Sequence, residues 1–311
     1  MLRPLLGTLF FVGVLFSGAP GLAQLTPTWT GAGVGDGWSN PENWDLALVP
    51  CDAPPTLFAV TLPDGAMVDY DLACDGVTGF TLGDDARIRV LPGTNLTVFD
   101  AAQIAGIVEA DGGSFVATST PGGAGFSGNR ARGQALAGGT LVIGAVAYSS
   151  VDLFGNSCGT HQLSLFTADG PGSSIDLSTI LTFDAGFIGN ANPCVIDRQQ
   201  VFANNGGSID LSGVTMLTAP TRHEDAIEFR ADDGSSIALT ALASITSASS
   251  GRTRFEVVGS GTIELASLTE LLAPGDLGEH RFIATDGATL ALPSLEIGED
   301  LVLIAESGGV I

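Results

Sequence analysis

Lysine is missing altogether. All 11 basic side chains are arginine, set against 34 acidic ones for a formal charge of −23. A chain this acidic does not wrap nucleic acid, because displacing the counterions of a polyphosphate takes clustered Lys and Arg. Aromatics are scarce at 7% of residues. Apolar residues spaced by three and four are sustained nowhere, which argues against helical architectures. No long apolar run follows Phe16, so a membrane span of roughly 20 residues is not expected in the mature chain. The sequence also lacks G-x-S-x-G, H-E-x-x-H, P-loop and zinc-knuckle motifs, which removes the commonest hydrolase, protease and nucleotide signatures. Disorder is excluded from the other side: 45% of the chain is hydrophobic and only 14% charged.

What is present begins with an export signal. Arg3 is followed by a 12-residue apolar run from Leu5 to Phe16, then by small residues ending at Ala23. That order reads as a signal peptide over residues 1–23, cleaved near Ala23. The mature chain then keeps 10 arginines and 34 acids, a charge of −24. A secreted or cell-surface location makes the four cysteines informative. Cys51, Cys74, Cys158 and Cys194 form an even set without metal-ligand spacing, so disulfides are expected, with the sequence-local pairing 51–74 and 158–194.

The rest of the chain repeats. GSSIDLSTI at Gly172, GGSIDLSGV at Gly206, GSSIALTAL at Gly234, GTIELASL at Gly261 and GATLALPSL at Gly287 share one aliphatic anchor: Ile175, Ile209, Ile237, Ile263 and Leu290. Weaker copies carry Phe115 and Leu141. A phenylalanine precedes each strong anchor by seven to nine residues (Phe166, Phe202, Phe229, Phe255, Phe282), and an aliphatic follows five residues after. Around the anchors apolar and polar residues alternate, the period of a strand with one buried face. Between the Phe and Ile strands lie TADGPGS, ANNGGS, ADDGSS and ATDGA, whose Asn, Asp and Gly suit tight corners. Short strands, sharp corners and a repeat near 26 residues predict an all-β fold, a right-handed parallel β-helix. The five phenylalanines are expected to stack in one internal column. The last segment, Leu303–Ile311, aligns with Phe282–Leu290, so the coils over 76–311 are expected to stop in mid-coil and to invite end-to-end self-association.

Residues 24–75 differ in kind. All three tryptophans, Trp29, Trp38 and Trp44, fall in TWTGAGVGDGWSNPENWDLALVP. The pattern W-T-G…W-S-N-P-x-N-W…V-P, followed by AVTLPDGAMVDYD, resembles the segment that opens many secreted bacterial β-solenoid proteins, often repetitive surface or autotransporter-like ones. The resemblance covers about residues 28–72. It implies a Trp-rich N-terminal cap over the raw apolar end of the first coil; stacking of the tryptophans on sugar rings is the competing role.

Chemistry is sparse. The Asp pairs Asp84-Asp85 and Asp232-Asp233 sit in Gly-flanked turns, where turn geometry explains them without catalysis. Arg222, His223, Glu224 and Asp225 form the best surface cluster, echoed by Glu279-His280-Arg281, and a solvated charged face is its plainer reading. No cofactor is expected. Calcium is the one ion that the Asp-bearing corners suit, yet no D-x-D-x-D-G run occurs. The expectation is therefore a non-catalytic structural or adhesion-type surface protein, with surface glycans or other matrix components as partners. The alternative is a carbohydrate-binding or polysaccharide-degrading β-helix protein.

Overall fold

The computed structural model describes residues 23–53, 56–74, 76–118, 125–128, 130–150, 158–185, 194–218, 220, 222–246, 251–272 and 279–311. The leader expected over 1–23 lies almost wholly outside them. Among the described residues the chain forms three parallel sheets of 11, 10 and 7 strands, with each strand bonded to its counterpart in the next coil. Each full coil visits the sheets in one order. Gly125–Gly128 lies in the eleven-stranded sheet, Arg132–Leu136 in the ten-stranded sheet and Thr140–Ile143 in the seven-stranded sheet, and the next coil starts again at Ala147. This is a parallel β-solenoid. One continuous apolar core runs inside it from Trp29 to Leu290.

The anchors form the inner column of the seven-stranded sheet: Leu96, Phe115, Leu141, Ile175, Ile209, Ile237 and Ile263 are partners in successive strands, all buried. The corners behave as their residues dictate. Asn205 and Asp286 adopt φ of 53° and 54°, and the glycines after them follow at 87° and 81°, a region that Asn and Asp tolerate and Gly enters freely. The Asp of IDLS is also explained. Asp176 accepts hydrogen bonds from the Ser178 N–H and O–H at 3.0 and 2.7 Å, and Asp210 accepts from the Ser212 N–H at 2.8 Å, turning the chain out of each strand.

The phenylalanine column needs one correction. Phe229, Phe255 and Phe282 are direct partners with centroids 5.1 Å apart and nearly parallel rings. Phe166 lies in the same inner column, but the position between it and Phe229 belongs to Val201. Phe202 pairs with Thr167 and Arg230 on the outer face. Its offset from the anchor is seven residues where Phe229, Phe255 and Phe282 have eight, and a one-residue slip flips a strand side chain to the other face. Phe166, at nine, stays in phase because the turn from Gly170 to Ser173 holds one residue more than its counterpart from Asn205 to Gly207.

At the other end the tryptophans are buried, Trp29 at 5%, Trp38 at 0% and Trp44 at 3% exposure. They pack edge-on against one another, and Trp38 packs against Tyr70 at 5.1 Å. The polar residues of the motif build this cap. Asn40 caps the 3₁₀ turn Pro41–Asn43 by accepting the Glu42 N–H at 3.0 Å. Buried Asn43 donates to the Gly35 and Gly37 carbonyls and accepts the Gly33 N–H. The Trp38 and Trp44 indoles donate to the carbonyls of Pro50 and Trp38, each at 2.9 Å. The stacking role for these rings is thereby overturned, since no indole face is left open to a sugar.

Both cysteine pairs are bonded as spacing suggests: Cys51–Cys74, with Cα atoms 6.0 Å apart, and Cys158–Cys194, at 4.9 Å. The second joins neighbouring coils immediately before their paired strands, where Gly159 meets Val195. No helix of the described residues is long and apolar enough to cross a membrane. The last rung pairs as its sequence suggests, Leu303 with Phe282 and Val310 with Thr289, and leaves Leu303 and Val310 exposed.

Candidate functional site

Eight of the ten arginines after Arg3 lie on strands of one sheet. In the ten-stranded sheet Arg87 and Arg89 lie on Arg87–Val90, Arg132 on Arg132–Leu136, Arg198 on Val195–Asn204 and Arg230 on Ala226–Ala231. Arg252 and Arg254 follow on Arg252–Val258 and Arg281 on Glu279–Thr285. Arg130 and Arg222 stand just ahead of two of these strands. The strands of the other two sheets contain no arginine. Alternation drives this locally: Phe229, Phe255 and Phe282 point inward, so their neighbours at odd spacing point out. Alternation alone does not choose arginine for one sheet and Ser, Thr and Asp for another.

The outward residues pair across rungs. Near the cap, Arg89 grips Asp69 through Nε and one terminal nitrogen at 2.9 and 2.7 Å, a fork that raises the guanidinium pKa further. Arg87 bonds Glu109 at 2.6 Å. Further along, Glu228 stands between Arg198 at 3.3 Å and Arg254 at 4.0 Å, and the Gln200 amide donates to it at 3.1 Å. Arg254 also reaches Glu256 at 3.0 Å, while Arg252 and Arg281 share Glu279 at 3.6 and 2.8 Å. These groups enclose a shallow cleft lined by Arg198, Glu224, Glu228, Arg252, Arg254 and Arg281, among others. Half-exposed pairs of this kind stabilise by only about 0–1 kcal/mol each, too little for stability to account for the sorting.

The cluster singled out from sequence lies at the cleft's edge and divides. Arg222 donates to the Val195 carbonyl at 2.9 Å, and buried Asp225 accepts the Asp197 N–H at 2.9 Å, so both staple one rung to the previous one. His223 faces Glu224 at 3.0 Å, and Glu224 alone of the four lines the cleft. The echo Glu279-His280-Arg281 shares the sheet but not the column: Glu279 pairs with Arg252 and Arg281 with Arg254. His280 turns inward, fully buried, its Nδ1 2.7 Å from the Thr253 hydroxyl, and burial lowers its pKa. The Asp pairs are turn staples: Asp64 accepts the Asp84 N–H, Asp85 pairs with Arg130, Asp232 accepts the Asn205 N–H and Asp233 the Ser260 N–H.

Sequence reading missed Arg198, Glu228, Arg252, Arg254 and Glu256, because they are scattered over 59 residues and meet only through strand register. The missed signal was available: each lies an odd number of residues from an inward Phe or Val. Among the described residues no group of three or more His, Cys, Asp or Glu side chains is arranged to hold a metal ion. No protein-family model matches the chain, and neither a curated protein nor a solved structure does.

Proposed function

We propose that this chain is an exported, non-catalytic surface protein of the bacterial β-solenoid kind, a stiff rod that presents one charge-sorted sheet for adhesion or matrix assembly. The placement of eight arginines on the strands of a single sheet, and of none on the strands of the other two, in a chain with 34 acids carries this reading. A rod that served only as a spacer has no need of a sided surface. Two disulfides suit an oxidising compartment. The hydrogen-bonded Trp cap supports the resemblance to secreted surface proteins.

A polysaccharide-degrading reading draws on one observation, that Glu224 and Glu228 line the same cleft. Glu228 there is held by two guanidinium groups and an amide donor, contacts that tie it into the ladder of ion pairs. The test is to incubate the purified mature chain with a panel of cell-wall and matrix polysaccharides. Saturable attachment without release of reducing ends is expected. Turnover of any member, or attachment to none, would contradict the reading.

A further inference from the structure

We infer that the outer face running from Val195–Asn204 to Glu279–Thr285 is a docking strip for a linear acidic polysaccharide, whose carboxylates meet Arg198, Arg252, Arg254 and Arg281. This rests on the adhesive reading and names its partner class. Three observations lead there. First, Arg254 and Arg281 are direct partners on adjacent rungs, with Arg252 two residues from Arg254 on the same face. Like charges placed opposite one another in a sheet are destabilising; Glu256 and Glu279 offset part of that repulsion, and a ligand anion lying over the pair would offset more. Second, the guanidinium groups remain within reach of a ligand: the side chains of all four arginines are 33–40% exposed. Third, the strip alternates in sign. Glu228, Glu256 and Glu279 are interleaved with the guanidinium groups.

That alternation selects the ligand. A polymer that meets both guanidinium and carboxylate side chains has to offer anions and hydroxyl donors in turn, as a chain of uronic acids does. A phosphodiester backbone supplies anions at high density and would crowd the interleaved glutamates. Rungs about 4.8 Å apart present the charges as a ladder along the rod, which a thin, single polysaccharide chain can follow. A nucleic-acid duplex is wide enough to press on Asp169, Asp232 and Asp233 at the neighbouring corners. The −24 charge of the mature chain opposes any polyanion at long range, but at about 0.15 M salt that field is screened within roughly 8 Å, and the local arginines decide.

The experiment is calorimetric titration of the full mature chain with polygalacturonate as probe, at about 0.15 M salt, with neutral dextran and duplex DNA alongside. Polygalacturonate alone is expected to bind. Replacing both Arg254→Gln and Arg281→Gln should weaken it by about tenfold or more, since both charge-assisted contacts to the ligand are lost. The Arg254→Lys/Arg281→Lys pair keeps the charge and should retain most of the affinity, which separates the role of charge from any failure to fold. No binding of polygalacturonate, equal binding by the Gln pair, or DNA binding as tight would overturn the inference. Attachment to a neutral matrix without polygalacturonate binding would sink the inference and leave the adhesive reading standing. Cleavage of bound polygalacturonate would do the reverse, upholding the strip and removing the non-catalytic reading.

Discussion

The ten-stranded and seven-stranded sheets share the same coils and rung spacing but face solvent differently. Inside, each carries an apolar ladder, Phe229–Phe255–Phe282 in one and Ile209–Ile237–Ile263 in the other. Outside, the seven-stranded sheet satisfies itself: Asp176 and Asp210 turn back on the serines two residues later. The ten-stranded sheet instead reaches between rungs with ion pairs such as Arg87–Glu109 and Arg198–Glu228. The inward faces therefore set the fold, and the outward faces are free to differ. The proposed function rests on that difference.

The sharpest way to break this division is to cut one ring from each face of a single sheet. Phe229→Ala removes an inward ring packed against Phe255 and should cost about 3–5 kcal/mol in urea denaturation. Phe202→Ala removes an outward ring and should cost about 0.5 kcal/mol or less. Equal losses would show that the face assignment is wrong. Next in size is the covalent tie, which enters the ten-stranded sheet and not the seven-stranded one. Replacing Cys158 and Cys194 by serine opens a 36-residue separation and should cost about 2–4 kcal/mol. Peptide mapping without reduction should recover the 51–74 and 158–194 pairs.

The interiors differ in one further respect, since the ten-stranded sheet buries His280 beside Thr253. Burial lowers the folded-state pKa of His280 and outweighs the opposite pull of the Leu272 backbone, Asp300 and Glu299. The unfolded chain therefore takes up a proton near pH 6.5 that the folded chain resists. Stability contributed by the neutral ring is full above that pH and lost as pH falls towards the folded pKa, at up to about 1.4 kcal/mol per pH unit. His280→Gln should remove that part of the slope between pH 7 and 5. An unchanged slope would mean that the ring is accessible to protons in the fold. The smallest effect belongs to the self-satisfied face: Asp176→Ala loses the contacts to Ser178 and should cost about 0.5–1.5 kcal/mol, with polygalacturonate binding unchanged.

Much of the fold was legible because a solenoid repeats its physics. Ile175, Ile209, Ile237 and Ile263 have the same neighbours in each coil, so one reading of the period placed them all. Phe202 failed for the same reason that the others succeeded, because a strand alternates in steps of one and an offset of seven lands on the opposite face from eight. The Trp motif pointed to the cap, but the hydrogen bonds of Asn43 and the indoles were invisible until the chain closed. The candidate site was hardly legible. Arg222 to Asp225 stood out because they are contiguous, whereas the cleft is assembled from Arg198, Glu228, Arg254 and Arg281, which no spacing joins. Register joins them, and register depends on where Leu165 adds an extra residue between Ser164 and Phe166.

The most direct test of a rod with one recognising side is backbone hydrogen exchange of the mature chain, with and without polygalacturonate. Slowed exchange is expected in Val195–Asn204, Ala226–Ala231, Arg252–Val258 and Glu279–Thr285, with the seven-stranded sheet and the Trp cap unchanged. Protection spread evenly over all three sheets, or centred on Trp29 to Trp44, would contradict the account.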